Sequence, residues 1–154
     1  ESKQLTERQR EQLYEIIYQV AVAVGIGWAD VNYIDQHNIL QATRAAMRRA
    51  INKLKIVPEY VLIDAVSIEG LVCPAEAITH GDEQCASIAA ASIVAKVYRD
   101  RLMLEWDQIY PGYGFARNKG YGTPEHLAAL TKLGPCPLHR VSFKPVRLAR
   151  EAMN

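Results

Sequence analysis

The sequence has few of the residues that form cross-links or common metal sites. Its three cysteines are far apart and include no Cys-x-x-Cys pair, so neither a disulfide framework nor a structural zinc site is indicated. The four histidines are equally scattered, and none has a histidine partner four residues away. We therefore expect reduced, structural cysteines and structural histidines.

The sequence also lacks long apolar runs and has almost no net charge. No apolar run approaches the ~20 residues that span a bilayer, and the segment ESKQLTERQR is too polar for a signal peptide. These absences predict a cytoplasmic protein that does not contact membranes. With 18 basic and 17 acidic residues the formal net charge is +1, so only local clusters of charge can indicate nucleic-acid binding.

The residues that are present predict alternating helices and strands, an α/β arrangement. Thr6 and Gln9 fit a capping box, and Asp30 and Thr123 are placed to cap later helices. The predicted elements are a helix over 6–20, a buried strand over 20–28, a helix after Asp30 with apolar residues up to Leu54, a strand over 60–63, a short strand within 70–78, a turn at 80–82, a long helix over 87–110, a loop without regular structure over 111–123 and a helix to about 133.

Two aspartates stand where a carboxylate needs an explanation. Asp64 follows an apolar strand, and Asp100 lies in the middle of the long helix. Such a group must be solvated, paired or metal-bound. The simpler alternatives are that Asp64 is a turn residue and that Asp100 pairs with Lys96 or faces water. The residues by themselves leave these alternatives open.

The loop PGYGFARNKGYGT combines aromatic and basic residues. Tyr113 and Tyr121, together with Lys119, are candidates for a surface that stacks on a nucleotide and contacts its phosphate. The alternative is that these rings pack inside the loop.

Four stretches, read together, resemble ribonuclease HII: ESKQLTERQRE, YVLIDA, HGDEQCASIAAASIVAKVYRDR, and GYGFARNKGYGTPEHLAAL followed by GPCPLHRVSF. The most specific feature is SIAAASIVAKVYRD followed about twenty residues later by NKGYGT. The resemblance implies a ribonuclease H-like mixed sheet flanked by helices, with a helical C-terminal extension. It divides the chain into a core over 1–110 and a substrate-binding loop with helical extension over 111–154.

The resemblance also implies functional residues. The family uses four carboxylates to bind two divalent ions, Mg²⁺ or Mn²⁺, and two of them match Asp64 and Asp100, which would be catalytic metal ligands. Tyr121 matches the tyrosine that stacks on the sugar at the RNA–DNA junction. Lys119 and Lys3 match basic positions near the substrate backbone. The other two carboxylates, and a Gly-Arg-Gly element, belong to a G-x-D-E-x-G-R-G motif that would precede Glu1, so we expect this chain to lack the family's first strands.

The implied activity is hydrolysis of the RNA strand of RNA–DNA hybrids, 5′ to ribonucleotides embedded in duplex DNA, by a monomeric enzyme. With two of four carboxylates present, we expect this chain by itself to be inactive or nearly so. A non-catalytic paralogue that binds RNA–DNA hybrids is the alternative, and the NKGYGT loop argues against a different ribonuclease H-like nuclease. Three mild departures from the family pattern occur at Glu1, Ala65 and His80, and none removes a metal ligand.

Overall fold

The computed structural model describes Ser2 and residues 4–153. These residues form helices and one small parallel sheet, so the predicted α/β class is confirmed. In chain order the elements are α1 (Glu7–Val20), α2 (Val31–Asn52), β1 (Val61–Asp64), β2 (Ala75–Ile78), α3 (Gly81–Gln84), α4 (Ala86–Ile109), α5 (Phe115–Asn118), α6 (Pro124–Leu133) and α7 (Lys144–Glu151). Among the described helices, none combines the length and apolar character that a membrane span requires.

Helix starts occur where the capping residues predicted them. At α1 the Gln9 amide donates to Thr6 Oγ1 (3.3 Å) and the Thr6 amide donates to Gln9 Oε1 (2.8 Å), which completes the capping box. Asp30 Oδ1 accepts from the Tyr33 amide at 2.8 Å before α2. Thr123 caps α6 in the same way, with proline at its first position.

The sheet places Asp64 at a strand end. Strands β1 and β2 pair in parallel, with Val61 opposite Ala75 and Asp64 opposite Ile78. The carboxyl ends of both strands therefore lie at the same edge of the sheet. In the part of the chain that the structure describes, the sheet consists of this parallel pair, so the mixed character implied by the resemblance is not represented there.

The predicted buried strand over 20–28 is wrong. This segment forms no strand, and Val20 and Val22 are 74% and 86% exposed. Its β-branched composition favours a strand, but a strand also needs a neighbour that completes its hydrogen bonds, and β1 and β2 pair with each other instead.

The 20–28 segment packs against α2 through its glycines. A Cβ atom at Gly27 would overlap the carbonyl oxygen of Ala46, and one at Gly25 would overlap that of Ala50. The Arg49 side chain then donates to the carbonyl of Trp28 at 2.7 Å. Close approach of two backbones, rather than strand pairing, explains why glycine occupies these positions.

Short helices replace two predicted irregular segments. The predicted turn at 80–82 is the start of the one-turn helix α3, which follows His80 in a left-handed conformation (φ 54°). Residues 111–123, predicted without a helix, contain α5, in which Phe115 is only 2% exposed. Four residues are too few to show a helical period in the sequence. In addition, α2 is interrupted at Asn38 (φ 67°).

The chain divides into two compact units, one formed by 1–28 with 43–97 and the other by 29–42 with 98–154. The interior of the first unit includes Ile63, Ile88, Ile93 and Val94. The second unit contains two buried clusters. The aromatic-rich cluster consists of Met103, Tyr113, Phe115 and Cys136, and the aliphatic cluster consists of Leu130, Val146 and Ala149. The functional boundary at 110/111 stays a prediction.

We predict that Gly27→Ala destabilises the protein by about 1–3 kcal/mol, the usual cost of forcing an extra methyl group into a close contact. The measurement is the free energy of unfolding in urea. Gly122→Ala is the control, because a Cβ atom at Gly122 meets no atom within 4 Å. Equal unfolding midpoints for the two variants would contradict the close packing of residues 20–28 on α2.

Candidate functional site

Asp64 is held at the carboxyl end of β1 by the start of the next helix. Its Oδ1 atom accepts a hydrogen bond from the Gly81 amide at 2.9 Å. This bond engages one of the two carboxylate oxygens, and a carboxylate has about four acceptor sites in all. Asp64 is therefore fixed in orientation and still has the capacity to bind a cation.

The chain turns away immediately after Asp64. Ala65 adopts a left-handed conformation (φ 55°), which costs a residue with a Cβ atom more than it costs glycine. Its amide donates to the Ile78 carbonyl at 2.9 Å and so extends the β1–β2 ladder by one bond.

Asp100 lies on α4 and is only 6% exposed. The alternative that this aspartate simply faces water is therefore wrong. A charged carboxylate at this depth is stable only when it is paired, hydrogen-bonded or bound to a cation. Asp64 and Asp100 belong to different compact units, Asp64 to the first and Asp100 to the second.

Tyr121 lies on a loop whose backbone is held by hydrogen bonds to a buried side chain. The buried Asn118 side chain donates to the Tyr113 carbonyl at 2.7 Å and accepts from the Gly120 amide at 2.9 Å. The Tyr121 amide donates to the Asn118 carbonyl at 2.8 Å, across left-handed Lys119 and Gly120. These bonds order the backbone on both sides of position 119.

The two loop tyrosines differ in their exposure to solvent. Tyr121 is 58% exposed, whereas Tyr113 is 7% exposed and donates its hydroxyl to the Gly134 carbonyl at 2.7 Å. The packing alternative is therefore correct for Tyr113, and the predicted nucleotide surface loses this ring. Lys119 is partly exposed beside Tyr121, and its carbonyl accepts from Arg99 at 3.2 Å. Lys3 lies outside the described residues.

His126 and His139 contact each other next to the Tyr121 loop, and the sequence does not predict this contact. His126 Nδ1 is 2.8 Å from the Tyr121 carbonyl oxygen, and its Nε2 is 3.0 Å from His139 Nε2. The two residues are 13 positions apart, which matches no local spacing. Aromatic rings of Tyr113 and Phe115 surround them.

Burial shifts the pKa values of His139 and of the neighbouring Cys136. Desolvation, followed by repulsion from His126, holds the pKa of His139 below its ordinary value of 6.5. Desolvation also raises the pKa of the Cys136 thiol, which keeps it protonated and unreactive. Cys73, Cys85 and Cys136 are free thiols. No group of three or more His, Cys, Asp or Glu side chains among the described residues is arranged to hold a metal ion.

Residues 1–146 match the sequence model of the family described as Ribonuclease HII. The chain belongs to the ribonuclease HII family. It is 59% identical to a ribonuclease HII of Lachnoclostridium phytofermentans over 93% of this chain and 56% of the relative. It is 52% identical to the ribonuclease HII of Geobacter sulfurreducens, over 96% of this chain and 68% of the relative. It is 53% identical to that of Nitrosococcus oceani, over 99% of this chain and 76% of the relative. The chain thus spans between about half and three quarters of these ribonucleases HII.

The fold agrees with this family assignment. A crystal structure of ribonuclease H2 from Pyrococcus horikoshii OT3 superimposes with a TM-score of 0.84, at 23% sequence identity, covering 99% of this chain and 80% of that one. At this identity the likeness concerns the fold. The expected ribonuclease H-like architecture is confirmed, while the roles of the aspartates and Tyr121 remain proposals.

We predict that the free energy of unfolding decreases as the pH falls below about 6.5. The folded chain binds a proton at His139 less readily than the unfolded chain does. The contribution of His139 to the free energy of unfolding is therefore complete above its ordinary pKa, and it is lost as the pH falls towards the lower pKa of the folded state. Urea unfolding between about pH 7.5 and 5 measures the slope.

His139→Gln should flatten this slope, since the variant has nothing to titrate at position 139. His37→Gln is the matched control, because His37 is an exposed histidine, and we expect it to retain the wild-type slope. If His139→Gln also retained that slope, His139 would not be the group responsible.

Proposed function

We propose that this chain carries metal-binding and substrate-binding residues of a ribonuclease HII endonuclease. Its substrate would be the RNA strand of RNA–DNA hybrids, cut 5′ to ribonucleotides embedded in duplex DNA, and its cellular roles ribonucleotide excision repair and DNA replication in the cytoplasm. The observation that carries this proposal is the family match over residues 1–146, a range that includes Asp64, Asp100, Lys119 and Tyr121. The proposed enzyme acts as a monomer.

The two aspartates suit a hard divalent cation. Carboxylate oxygens are the ligands that Mg²⁺ and Mn²⁺ prefer, and Asp64 is oriented by the Gly81 amide while Asp100 is withdrawn from water. When bound, such ions would activate the attacking water and stabilise the leaving oxygen. Two carboxylates are few for two ions, so we expect the 154 residues alone to bind substrate and to cut it slowly or not at all.

Tyr121 is the proposed sensor of the ribonucleotide. RNA differs from DNA at the 2′-hydroxyl, and a ring can report that difference only if its backbone is held in a defined place. The hydrogen bonds at Asn118 hold the loop, and the exposure of Tyr121 leaves its ring accessible. Lys119, and Lys3 by resemblance, would contact backbone phosphates, which position the substrate without reading its sequence.

We predict that Tyr121→Ala reduces the preference for a duplex containing one ribonucleotide over the all-DNA duplex by about tenfold. Base stacking on an aromatic ring contributes about 1–3 kcal/mol. We expect the contact of Tyr121 with the ribose to discriminate by a similar amount, and 1.4 kcal/mol corresponds to a factor of ten. Fluorescence anisotropy with the two labelled duplexes measures the preference. Tyr60→Ala is the matched control, since Tyr60 is similarly exposed (52%). An unchanged preference in Tyr121→Ala would remove this residue from the recognition surface.

Cleavage tests the catalytic part of the proposal. A fusion protein that adds an upstream segment with the G-x-D-E-x-G-R-G motif should cut the single-ribonucleotide duplex in Mg²⁺ or Mn²⁺. Asp64→Asn and Asp100→Asn should each reduce that rate by at least about a hundredfold, because a neutral amide is a poorer ligand for a hard cation. A fusion protein that binds the duplex but never cuts it would favour the non-catalytic hybrid-binding alternative.

A further inference from the structure

We infer that His126 and His139 are positioning residues that lock the backbone of Tyr121 in place through a directed chain of hydrogen bonds. We call this chain of hydrogen bonds the lock. Its importance for substrate recognition rests on the proposed function, whereas its existence does not. It is argued from residues of one compact unit, and it concerns side chains to which the family resemblance assigned no role.

The chain of hydrogen bonds has a defined direction. A carbonyl oxygen only accepts, so the His126 Nδ1 atom, 2.8 Å from the Tyr121 carbonyl, must carry the proton. A neutral imidazole has one N–H group, which makes His126 Nε2 an acceptor. His139 Nε2, 3.0 Å away, must therefore donate.

The far end of the chain agrees with this assignment. With its proton on Nε2, neutral His139 has an acceptor at Nδ1. The Cys136 amide, which can only donate, lies 3.0 Å from that atom, while the Cys136 carbonyl is farther away at 3.3 Å. Backbone groups at Cys136 and Tyr121 thus set both tautomers. The Cys136 amide makes His139 Nδ1 an acceptor, so His139 Nε2 carries the proton, and the depressed pKa of His139 agrees with a neutral ring at that position.

This arrangement ties Tyr121 to the first turn of α6. The Tyr121 carbonyl accepts from both the His126 ring and the Thr123 amide (2.8 Å), while Thr123 Oγ1 accepts from the His126 amide. On the other side, the Tyr121 amide is bound to the Asn118 carbonyl. Both peptide groups of Tyr121 are therefore anchored, and His126, only 7% exposed, is the anchor that reaches the interior.

The tautomers can be measured in the wild-type 154-residue chain. Long-range ¹⁵N–¹H spectra of the histidine side chains at about pH 7.5 distinguish a protonated Nδ1 from a protonated Nε2. We expect protonated Nδ1 in His126 and protonated Nε2 in His139. The opposite tautomer in His126, or a cationic His126, would overturn the inference without the use of any variant.

Variants test the lock. His126→Leu and His139→Leu remove the donors, and amide hydrogen exchange at Tyr121 and Thr123 should become at least tenfold faster. His126→Asn and His139→Gln each keep an N–H donor near the required position, so they should largely restore protection. Tyr113→Phe is the matched control: it removes a buried hydrogen bond from the same cluster but leaves the chain of hydrogen bonds intact, so it should not accelerate exchange at Tyr121 selectively.

The outcomes separate this inference from the proposed function. Faster exchange in both leucine variants, with a severalfold loss of the single-ribonucleotide preference, supports both. Faster exchange with no loss of preference in these variants or in Tyr121→Ala supports the lock and refutes the proposed role of Tyr121. Unchanged exchange in both leucine variants overturns the lock, whatever Tyr121→Ala does.

Discussion

The buried side-chain amide of Asn118 is the contact on which the geometry of the Tyr121 loop depends. It satisfies the Tyr113 carbonyl and the Gly120 amide together, and an unsatisfied polar group at that depth would cost about 1–3 kcal/mol. The loop can place an exposed aromatic ring only because its own polar backbone groups are paired inside. The His126–His139 pair likewise binds a backbone carbonyl of the loop, that of Tyr121, and connects it to α6.

Asp64 depends on a different constraint, the end of a strand. The ladder between β1 and β2 brings the Gly81 amide to Asp64, and the left-handed Ala65 redirects the chain at once. The carboxyl ends of strands leave side chains and loops where no further ladder bonds are formed, which is where α/β proteins commonly place functional groups.

Local patterns predicted most of the regular structure. The helices at 7–20, 86–109 and 124–133 were predictable because capping residues and apolar periodicity act over a few neighbouring positions. The prediction for 20–28 was wrong because a strand needs a pairing partner, which composition does not supply. The four-residue helix α5 was missed because a single turn has no period to detect.

The sequence by itself determined the family and the chemical character of Asp64 and Asp100, and it marked the NKGYGT loop as a candidate substrate-binding loop, because each is encoded in residue types at short spacing. Only the tertiary structure decided which tyrosine is exposed, since burial depends on how the whole aromatic cluster packs. It also decided that His126 meets His139. Two side chains 13 residues apart leave no local signal, and their tautomers depend on backbone groups that folding alone brings within reach.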